Sequence, residues 1–171
     1  KKEKKPIPAI RLEDIELKNI RFHFDNYNYP LTAHGIDYSH LLLKDVNLKV
    51  SQFLMKNGIF SGIINNLSAF EQKSNFRINE LKTRAVFSAN GLDLKRVYIK
   101  TDESEIRSRH FQLIYSGMED YSYFIDSVRF DADLNKTVVS FKDIAVFAPM
   151  LYGMDQRVFI DGKFENYVKN L

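Results

Sequence analysis

Apolar and polar residues alternate along most of this chain, and the alternation predicts β-strands. Between residues 20 and 25 the apolar side chains stand at Ile20, Phe22 and Phe24, with polar residues between them. Residues 127–134 repeat this period of two. Such alternation is typical of strands with one buried face, whereas helical periodicity is scarce in the sequence.

Turn motifs separate the alternating segments and set the number of strands. They read DNYNYP at 25–30, KNG at 56–58, ANG at 89–91, SGMED at 116–120 and DLNKT at 133–137. The Asn-Gly pairs fit tight turns with positive φ. We expect about ten short strands that pair with their sequence neighbours in an antiparallel meander. A helix competes only at residues 58–73, where isoleucines and glycines favour strands.

Four six-residue segments break the alternation in the same way. They are LKNIRF at 17–22, LKDVNL at 43–48, LKRVYI at 94–99 and FKDIAV at 141–146. Their apolar residues stand at positions one, four and six, so the inward phase slips by one residue unless a β-bulge absorbs it. Bulges at comparable places in successive strands would curl the sheet into a trough. Alternatively, each segment is a turn between two short strands.

Composition limits the classes of protein to which the chain can belong. Its 171 residues are 44% hydrophobic, enough to bury a sizeable interior. The segment KKEKK at the start holds four of the 25 basic and one of the 22 acidic residues, which leaves 21 of each, so no basic face for nucleic acid is indicated. The longest apolar stretch, residues 144–154, is far below the roughly 20 residues of a membrane-spanning helix.

Residues that carry chemistry are not clustered in the sequence. There is no cysteine, no glycine-rich phosphate loop and no metal-ligand spacing among His23, His34, His40 and His110. The acidic segment DESE at 102–105 lacks a calcium-loop pattern and is interpreted as a solvated turn. We therefore expect no enzymatic activity, no metal and no cofactor.

Three stretches resemble a known family of repetitive proteins. Residues 138–171, with the sequence VVSFKDIAVFAPMLYGMDQRVFIDGKFENYVKNL, are similar to the closing part of a repeat in the TamB family of Bacteroidetes, which is related to AsmA-like proteins. Residues 91–117 and 66–81 are similar to two further segments of the same repeat. Asn75 departs from the pattern, since the family often has glycine there.

The resemblance implies a lipid conduit. Proteins of this family are thought to hold a long U-shaped β-groove between the inner and outer membranes, to pass phospholipids along it, and to work with an outer-membrane barrel of the TamA or BamA type. For this chain it implies a periplasmic segment of a bacterial protein anchored in the inner membrane. Membrane contact is then expected only through regions outside this chain, and the partners are phospholipid acyl chains and the barrel.

The combined expectation is an all-β antiparallel meander that curls into a U-shaped groove with an apolar interior. Residues 1–9 are interpreted as a linker or flexible tail, and residues 10–171 as a single segment of a longer repetitive protein. Alternation predicts that the groove is lined by Ile20, Phe22, Phe24, Val46, Leu48, Val50, Val97, Ile99, Val128, Phe130, Ile144 and Val146.

Two other functions fit the same pattern. One is a structural scaffold for the assembly of outer-membrane proteins. The other is a secreted, glycan-binding β-sandwich, in which two apolar faces pack against each other. Exposed aromatic residues on loops would mark the glycan-binding protein, and YNY at 27–29 and DYSYF at 120–124 are candidates.

Overall fold

The computed structural model describes residues 8–114 and 129–167, which form one antiparallel sheet and a short helix. The strands are β1 (Ile10–Asp25), β2 (His40–Lys56), β3 (Ile59–Glu71), β4 (Phe76–Ser88), β5 (Gly91–Thr101), β6 (Glu105–Ile114), β7 (Arg129–Ser140) and β8 (Arg157–Tyr167). Helix α1 (Phe141–Phe147) and a 3-10 helix (Pro149–Leu151) connect β7 to β8. Each strand pairs with its sequence neighbours, and the sheet does not close into a barrel. The predicted all-β meander is confirmed.

The strands of the described residues are fewer and longer than the sequence indicated. There are eight, and β2 reaches 17 residues. The predicted turn at residues 133–137 is wrong, because β7 runs through it. Residues 58–73, where a helix competed, contain the whole of β3 and the start of the turn after it. The predicted turn at 116–120 lies outside the described residues.

The Asn-Gly turns have two different geometries. Asn57 (φ 51°) and Gly58 (φ 75°) form the predicted positive-φ turn between β2 and β3. Gly91 instead begins β5 after a turn at Ala89 and Asn90, and neither Asn90 nor Gly91 has positive φ. A two-residue turn with both φ values positive matches the natural twist of the strands that it joins.

The predicted bends are present in three of the four repeated segments. The third residue of each has positive φ: Asn19 (53°), Asp45 (52°) and Arg96 (54°). The strand continues through each segment, so the alternative of a turn between two strands is wrong there. Pairing shows the phase slip directly. Leu17 and Ile20 are three residues apart, yet they oppose Leu48 and Val46, which are two apart.

Two further bulges follow the same spacing. Gln52 (φ 54°) is the third residue of VSQFLM at 50–55, and Lys136 (φ 46°) is the third residue of LNKTVV at 134–139. In the second segment, Leu134 opposes Gly162 and Thr137 opposes Ile160. Both slips keep the following apolar residues on one face of the sheet.

Hydroxyl and amide side chains bond backbone groups beside these bulges. Thr83 donates from Oγ1 to the carbonyl of Lys95 at 3.1 Å, next to the Arg96 bulge. Asn47 accepts a hydrogen bond from the backbone N–H of Asn19 at 3.0 Å. Because bulges interrupt the ladder of backbone hydrogen bonds, side chains that replace them stabilise the bends.

The fourth repeated segment is a helix instead of a bent strand. Residues 141–147 form α1, so the strand conformation predicted for Ile144 and Val146 is wrong. Ser140 caps the helix by accepting a hydrogen bond from the Lys142 N–H, and apolar residues at 141, 144, 145 and 148 follow helical spacing. The same spacing of one and four fits both a bulged strand and a helix.

The bends at Gln52, Arg96 and Lys136 lie close to one line that crosses the sheet, and those at Asn19 and Asp45 lie nearer one end of the strands. One face of the sheet is on the inside of these bends. Paired residues share a face. With the exception of Ser140, every buried residue in the described strands lies on the face that we call the inner face: Val50, Glu71, Thr83, Val97, Thr101, Ser108, Ala132 and Thr137. Side chains on the concave side of a bent sheet converge and shield one another, so the inner face is the concave side.

Candidate functional site

The floor of the inner face is a row of mostly small residues beside the bulges. Val50 opposes Ile64, and Ile64 opposes Thr83. Val97 opposes Ser108 on the next pair of strands. Thr83, Val97 and Ser108 are at most 6% exposed. Small side chains at this line let the two halves of each strand approach, which makes the sheet a trough.

The two walls of the trough are lined mainly by large apolar side chains. One wall includes Phe22, Leu43, Leu67, Leu81, Ile99 and Ile106, and the other includes Leu12, Phe53, Phe60, Phe87, Leu92, Leu113 and Phe130. Each residue faces the same side as its partner on the neighbouring strand. The inner face is therefore apolar along much of the sheet, from β1 to β7.

Apart from the end of one wall, where Phe147 packs against Phe76, much of this apolar face is open to solvent. On β1, Ile20, Phe22 and Phe24 are 42%, 48% and 44% exposed. Among the described residues, only Val50, Val97, Ala132 and Ala145 are buried apolar residues. A contiguous apolar surface of this kind marks a site that binds a ligand, a partner or a membrane.

Two aromatic residues of the outer face lie against arginine side chains. The guanidinium of Arg77 lies 4.3 Å from the centre of the Phe70 ring, and that of Arg107 lies 5.7 Å from the centre of the Tyr98 ring. Arg109 and Asp133 pair on the same face at 2.8 Å. The outer face thus presents charged groups to water, and cations lie against two of its aromatic rings.

The structure brings together nine of the twelve residues predicted to line the groove. They share the inner face and are Ile20, Phe22, Phe24, Val46, Leu48, Val50, Val97, Ile99 and Phe130. Ile144 and Val146 lie on α1, and Val128 lies outside the described residues. The prediction missed the floor hydroxyls of Thr83, Ser108 and Thr137, which take inner positions that elsewhere hold apolar residues.

Helix α1 and the β1–β2 loop form a polar and apolar clasp at one end of the strands. Asp143 accepts hydrogen bonds from the hydroxyls of Thr101 and Ser104, both at 2.5 Å. The rings of Phe76 and Phe147 meet edge to face at 5.3 Å. Since Thr101 and Phe76 both lie on the inner face, the helix packs over the end of one wall.

A buried carboxylate fixes the β1–β2 loop to the β3–β4 turn. Asp37 is 1% exposed and accepts from Lys73 Nζ at 2.6 Å and from the Thr32 N–H at 2.9 Å. The hydrogen bond from Lys73 is the main reason why the pKa of the Asp37 carboxyl lies far below its ordinary value; bonds from Thr32, His40 and Ser39 add to this, and burial opposes it. The ion pair between Asp37 and Lys73 therefore anchors the loop.

Glu71 is the second buried carboxylate of this region. Burial alone would raise its pKa, but hydrogen bonds from the hydroxyl and N–H of Ser74 and from the N–H groups of Lys73 and Leu42 outweigh it and lower the pKa. The hydroxyl and the backbone nitrogen of Ser74 lie 2.6 Å and 2.7 Å from the Glu71 carboxylate. The carboxylate thereby closes the turn between β3 and β4.

The described residues hold no group of acidic, histidine or cysteine side chains that could bind a metal ion. In the DESE segment, Glu103 pairs with Arg157 at 2.5 Å, which is the main cause of its lowered pKa. His23 lies 2.7 Å from Asp25 and His110 lies 3.5 Å from Asp93, on different strands of the sheet. These pairs are separate from one another and do not converge on a cleft.

Some depressions in the surface occur at the bulges, with charged residues among their lining. One of about 790 Å³ surrounds Gln52 and is bordered by Arg11, Glu13 and Arg84. Another, of about 270 Å³, surrounds Asn19. Such openings follow from the bends themselves, so we assign the binding site to the continuous apolar face instead.

Comparisons of the chain with protein-family models, curated proteins and solved structures give no significant match. The resemblance to the TamB family therefore stays a prediction. In the part of the chain that the structure describes, no helix is long and apolar enough to cross a membrane.

Proposed function

We propose that the inner face of this sheet holds the acyl chains of phospholipids and that the chain is a segment of a lipid conduit. The observation that supports the proposal most is the exposed apolar surface of the trough, from Phe22 on β1 to Phe130 on β7. Transfer of each acyl methylene from water to such a surface is favourable by about 0.8 kcal/mol. Binding needs no catalytic group.

The shape of the inner face fits a chain-like apolar ligand. Small residues such as Thr83 and Ser108 form the floor, and their hydroxyls bond the backbone instead of projecting as free polar groups. Ser108 donates from Oγ to the Asp133 carbonyl at 2.9 Å. A ligand in the trough therefore meets methyl, methylene and aromatic groups along its length.

The location and partners expected for such a conduit belong to the same proposal. They are a periplasmic segment of a protein anchored in the inner membrane and an outer-membrane barrel partner. The second candidate is a scaffold for outer-membrane assembly, which would use the same sheet without lipid. The glycan-binding sandwich has less support, because the described residues form one sheet instead of two packed sheets.

Extraction of the purified chain followed by lipid mass spectrometry tests the proposal. The conduit requires phospholipid in roughly stoichiometric amount after purification without detergent. The variant Leu48→Asp places a carboxylate on the inner face and should be purified with far less lipid, since burial of an unpaired charge is costly. Lys49→Asp, which changes the outer face, is the matched control. An empty extract from the unmodified chain would favour the scaffold.

A further inference from the structure

Two neighbouring connections at the clasp expose a cluster of aromatic and apolar side chains. We call this cluster the rim patch, and it consists of Tyr27, Tyr29, Leu31 and Tyr38 on the β1–β2 loop and Phe147, Met150 and Tyr152 on the connection between β7 and β8. Tyr27 is 88% exposed and Met150 is 85% exposed. Apolar side chains of this size project into solvent at the tips of loops, beyond the ends of the strands.

Direct contacts join the two connections into one surface. The Ile36 N–H donates to the Val146 carbonyl at 2.9 Å. The rings of His34 and Tyr152 stack with their centres 4.3 Å apart. Gly35 lies so close to the Val146 carbonyl that a Cβ there would stand 2.6 Å from its oxygen. The rim patch is therefore held together by backbone and ring contacts across the clasp.

The two segments of the rim patch carry almost no exposed charge of their own, although Lys142 lines the same depression as Tyr152. In residues 26–39 and 147–156 the only acidic residues are Asp37 and Asp155, and there is no lysine or arginine. Asp37 is buried and paired with Lys73, which leaves Asp155 as the exposed charge. By contrast, 27% of the whole chain is charged. The exposed charges at the patch, Asp155 and the neighbouring Lys142, have opposite signs, so the surface has no net electrostatic preference for an acidic or basic partner.

Tyrosine, leucine and methionine at protruding tips suit the interface of a lipid bilayer. A tyrosine ring is amphipathic and sits at the level of the headgroups, while Leu31 and Met150 can enter the acyl region. Protein interfaces also contain tyrosine and methionine, but a stable one needs about 20–30 residues a side with matching shape. A bilayer can adapt its shape to two projecting loops, whereas a rigid protein surface would have to match them. The rim patch therefore suits a bilayer better.

We propose that the rim patch docks onto the surface of an uncharged phospholipid bilayer. The inner-face residues Phe22 and Phe24 lead along β1 directly to Tyr27, so docking would place a bilayer beside the trough. The docking itself does not depend on lipid binding in the trough. It differs from the expectation that only regions outside this chain contact a membrane.

Tryptophan fluorescence tests where the chain meets lipid, since the sequence has no native tryptophan. Met150→Trp should show a blue shift with phosphatidylcholine vesicles and should be quenched by brominated acyl chains. Phe159→Trp is the matched control, because Phe159 is 66% exposed but lies on the outer face of β8. An unchanged Met150→Trp spectrum at saturating vesicle concentration would overturn the proposal.

Vesicle flotation tests whether the rim patch drives the binding. The triple variant Tyr29→Ser, Leu31→Ser, Met150→Ser should bind phosphatidylcholine vesicles at least about tenfold more weakly, because each large apolar side chain that leaves water contributes strongly. Phe159→Ser should bind as the unmodified chain does. Equal binding of the two variants would contradict docking at the rim patch.

Two further measurements separate the alternatives. If the triple variant abolishes self-association in lipid-free sedimentation velocity and leaves flotation unchanged, the patch is a protein interface and the proposal is wrong. Leu48→Asp changes the trough alone and should leave flotation unchanged. A variant that loses co-purified lipid but still floats with vesicles is defective in the trough. A variant that keeps co-purified lipid but no longer floats is defective in the rim patch.

Discussion

Thr137 and Arg107 exchange two hydrogen bonds through one hydroxyl group. The Oγ1 of Thr137 accepts from the Arg107 N–H at 2.9 Å and donates to the Arg107 carbonyl at 2.9 Å. Thr137 is completely buried and follows Lys136, the positive-φ residue of the β7 bulge. The hydroxyl thereby takes the place of backbone groups that the bulge moves out of the ladder. The bend in β7 depends on this side chain.

Removal of the Thr137 hydroxyl should destabilise the fold. Thr137→Val keeps the shape but leaves the N–H and carbonyl of Arg107 without these bonds, so the free energy of unfolding should fall by about 1–3 kcal/mol. Thr137→Ser keeps the hydroxyl and should lose less. Urea unfolding measures both variants. If the valine variant is as stable as the serine variant, the hydroxyl does not support the bend.

The bulge at Arg96 should tolerate glycine better than any β-branched residue. Arg96 has φ 54°, a left-handed conformation that costs about 1–2 kcal/mol for a side chain with a Cβ. Arg96→Gly should therefore raise the free energy of unfolding by up to about 1 kcal/mol. Arg96→Val should lower it.

The neighbouring residue Lys95 provides the control for this prediction. Its φ is not positive, so Lys95→Gly should destabilise the strand by about 0.5–1 kcal/mol. Thermal unfolding followed by circular dichroism compares the three variants. Destabilisation by Arg96→Gly to the same extent as Lys95→Gly would mean that the bend is not specified at Arg96.

Gly35 and Gly58 allow the contact within the clasp to be measured separately from backbone strain. Their φ angles are 76° and 75°, so alanine is equally strained at both positions. A Cβ at Gly35 would meet the Val146 carbonyl oxygen at 2.6 Å, whereas a Cβ at Gly58 would meet nothing within 4 Å. Gly35→Ala should cost about 1–3 kcal/mol more than Gly58→Ala, as overpacking does.

Hydrogen exchange gives a local test of the same contact. In Gly35→Ala the Ile36 amide should exchange faster, since its bond to the Val146 carbonyl is strained, and the effect should extend to α1. In Gly58→Ala the exchange of Ile36 should be unchanged. If both variants lose equal stability and keep the same exchange at Ile36, the two connections do not form a clasp.

The apolar spacing in the sequence contained most of the information on the fold. The one-four-six pattern at residues 17–22, 43–48 and 94–99 predicts the bends correctly, because each bend needs an inward residue on both sides of one left-handed position. The same spacing is present at 50–55 and 134–139 but was missed. In the second of these segments a threonine stands at position four, where apolar residues were expected.

The helix at residues 141–147 shows why the pattern alone was insufficient. Positions one and four of FKDIAV are also i and i+3 of a helix, and Ala145 adds i+4. The decision depends on Ser140, which caps the helix, and on Asp143, whose carboxylate binds Thr101 and Ser104 from another hairpin. Those contacts join residues distant in sequence, and so does the pair of Asp37 and Lys73.

Acid should weaken the attachment of the β1–β2 loop. The pKa of Asp37 is lowered in the folded chain, mainly by Lys73, so its contribution to stability is complete above the pKa of an unfolded aspartate, about 3.9, and is lost as the pH falls further. Urea unfolding measured between pH 7 and pH 2 should show a midpoint concentration that decreases once the pH drops below about 4.

Two variants assign this acid sensitivity to the ion pair. Lys73→Met removes the main cause of the lowered pKa, so the folded and unfolded pKa values of Asp37 come closer and the loss of stability in acid should be smaller than in the unmodified chain. Asp37→Asn removes the titrating group and should flatten this part of the profile. Three identical pH profiles would show that Asp37 and Lys73 do not contribute.

The most direct test of the trough is site-specific photo-crosslinking in cells that produce the chain. A benzophenone side chain at Leu48 or Phe22 faces the inner side, whereas one at Lys49 or Arg21 faces the outer side of the same strands. We expect lipid adducts by mass spectrometry at Leu48 and Phe22 and none at Lys49 and Arg21. Equal lipid labelling on both faces, or labelling on neither, would contradict a lipid-binding trough and favour the scaffold.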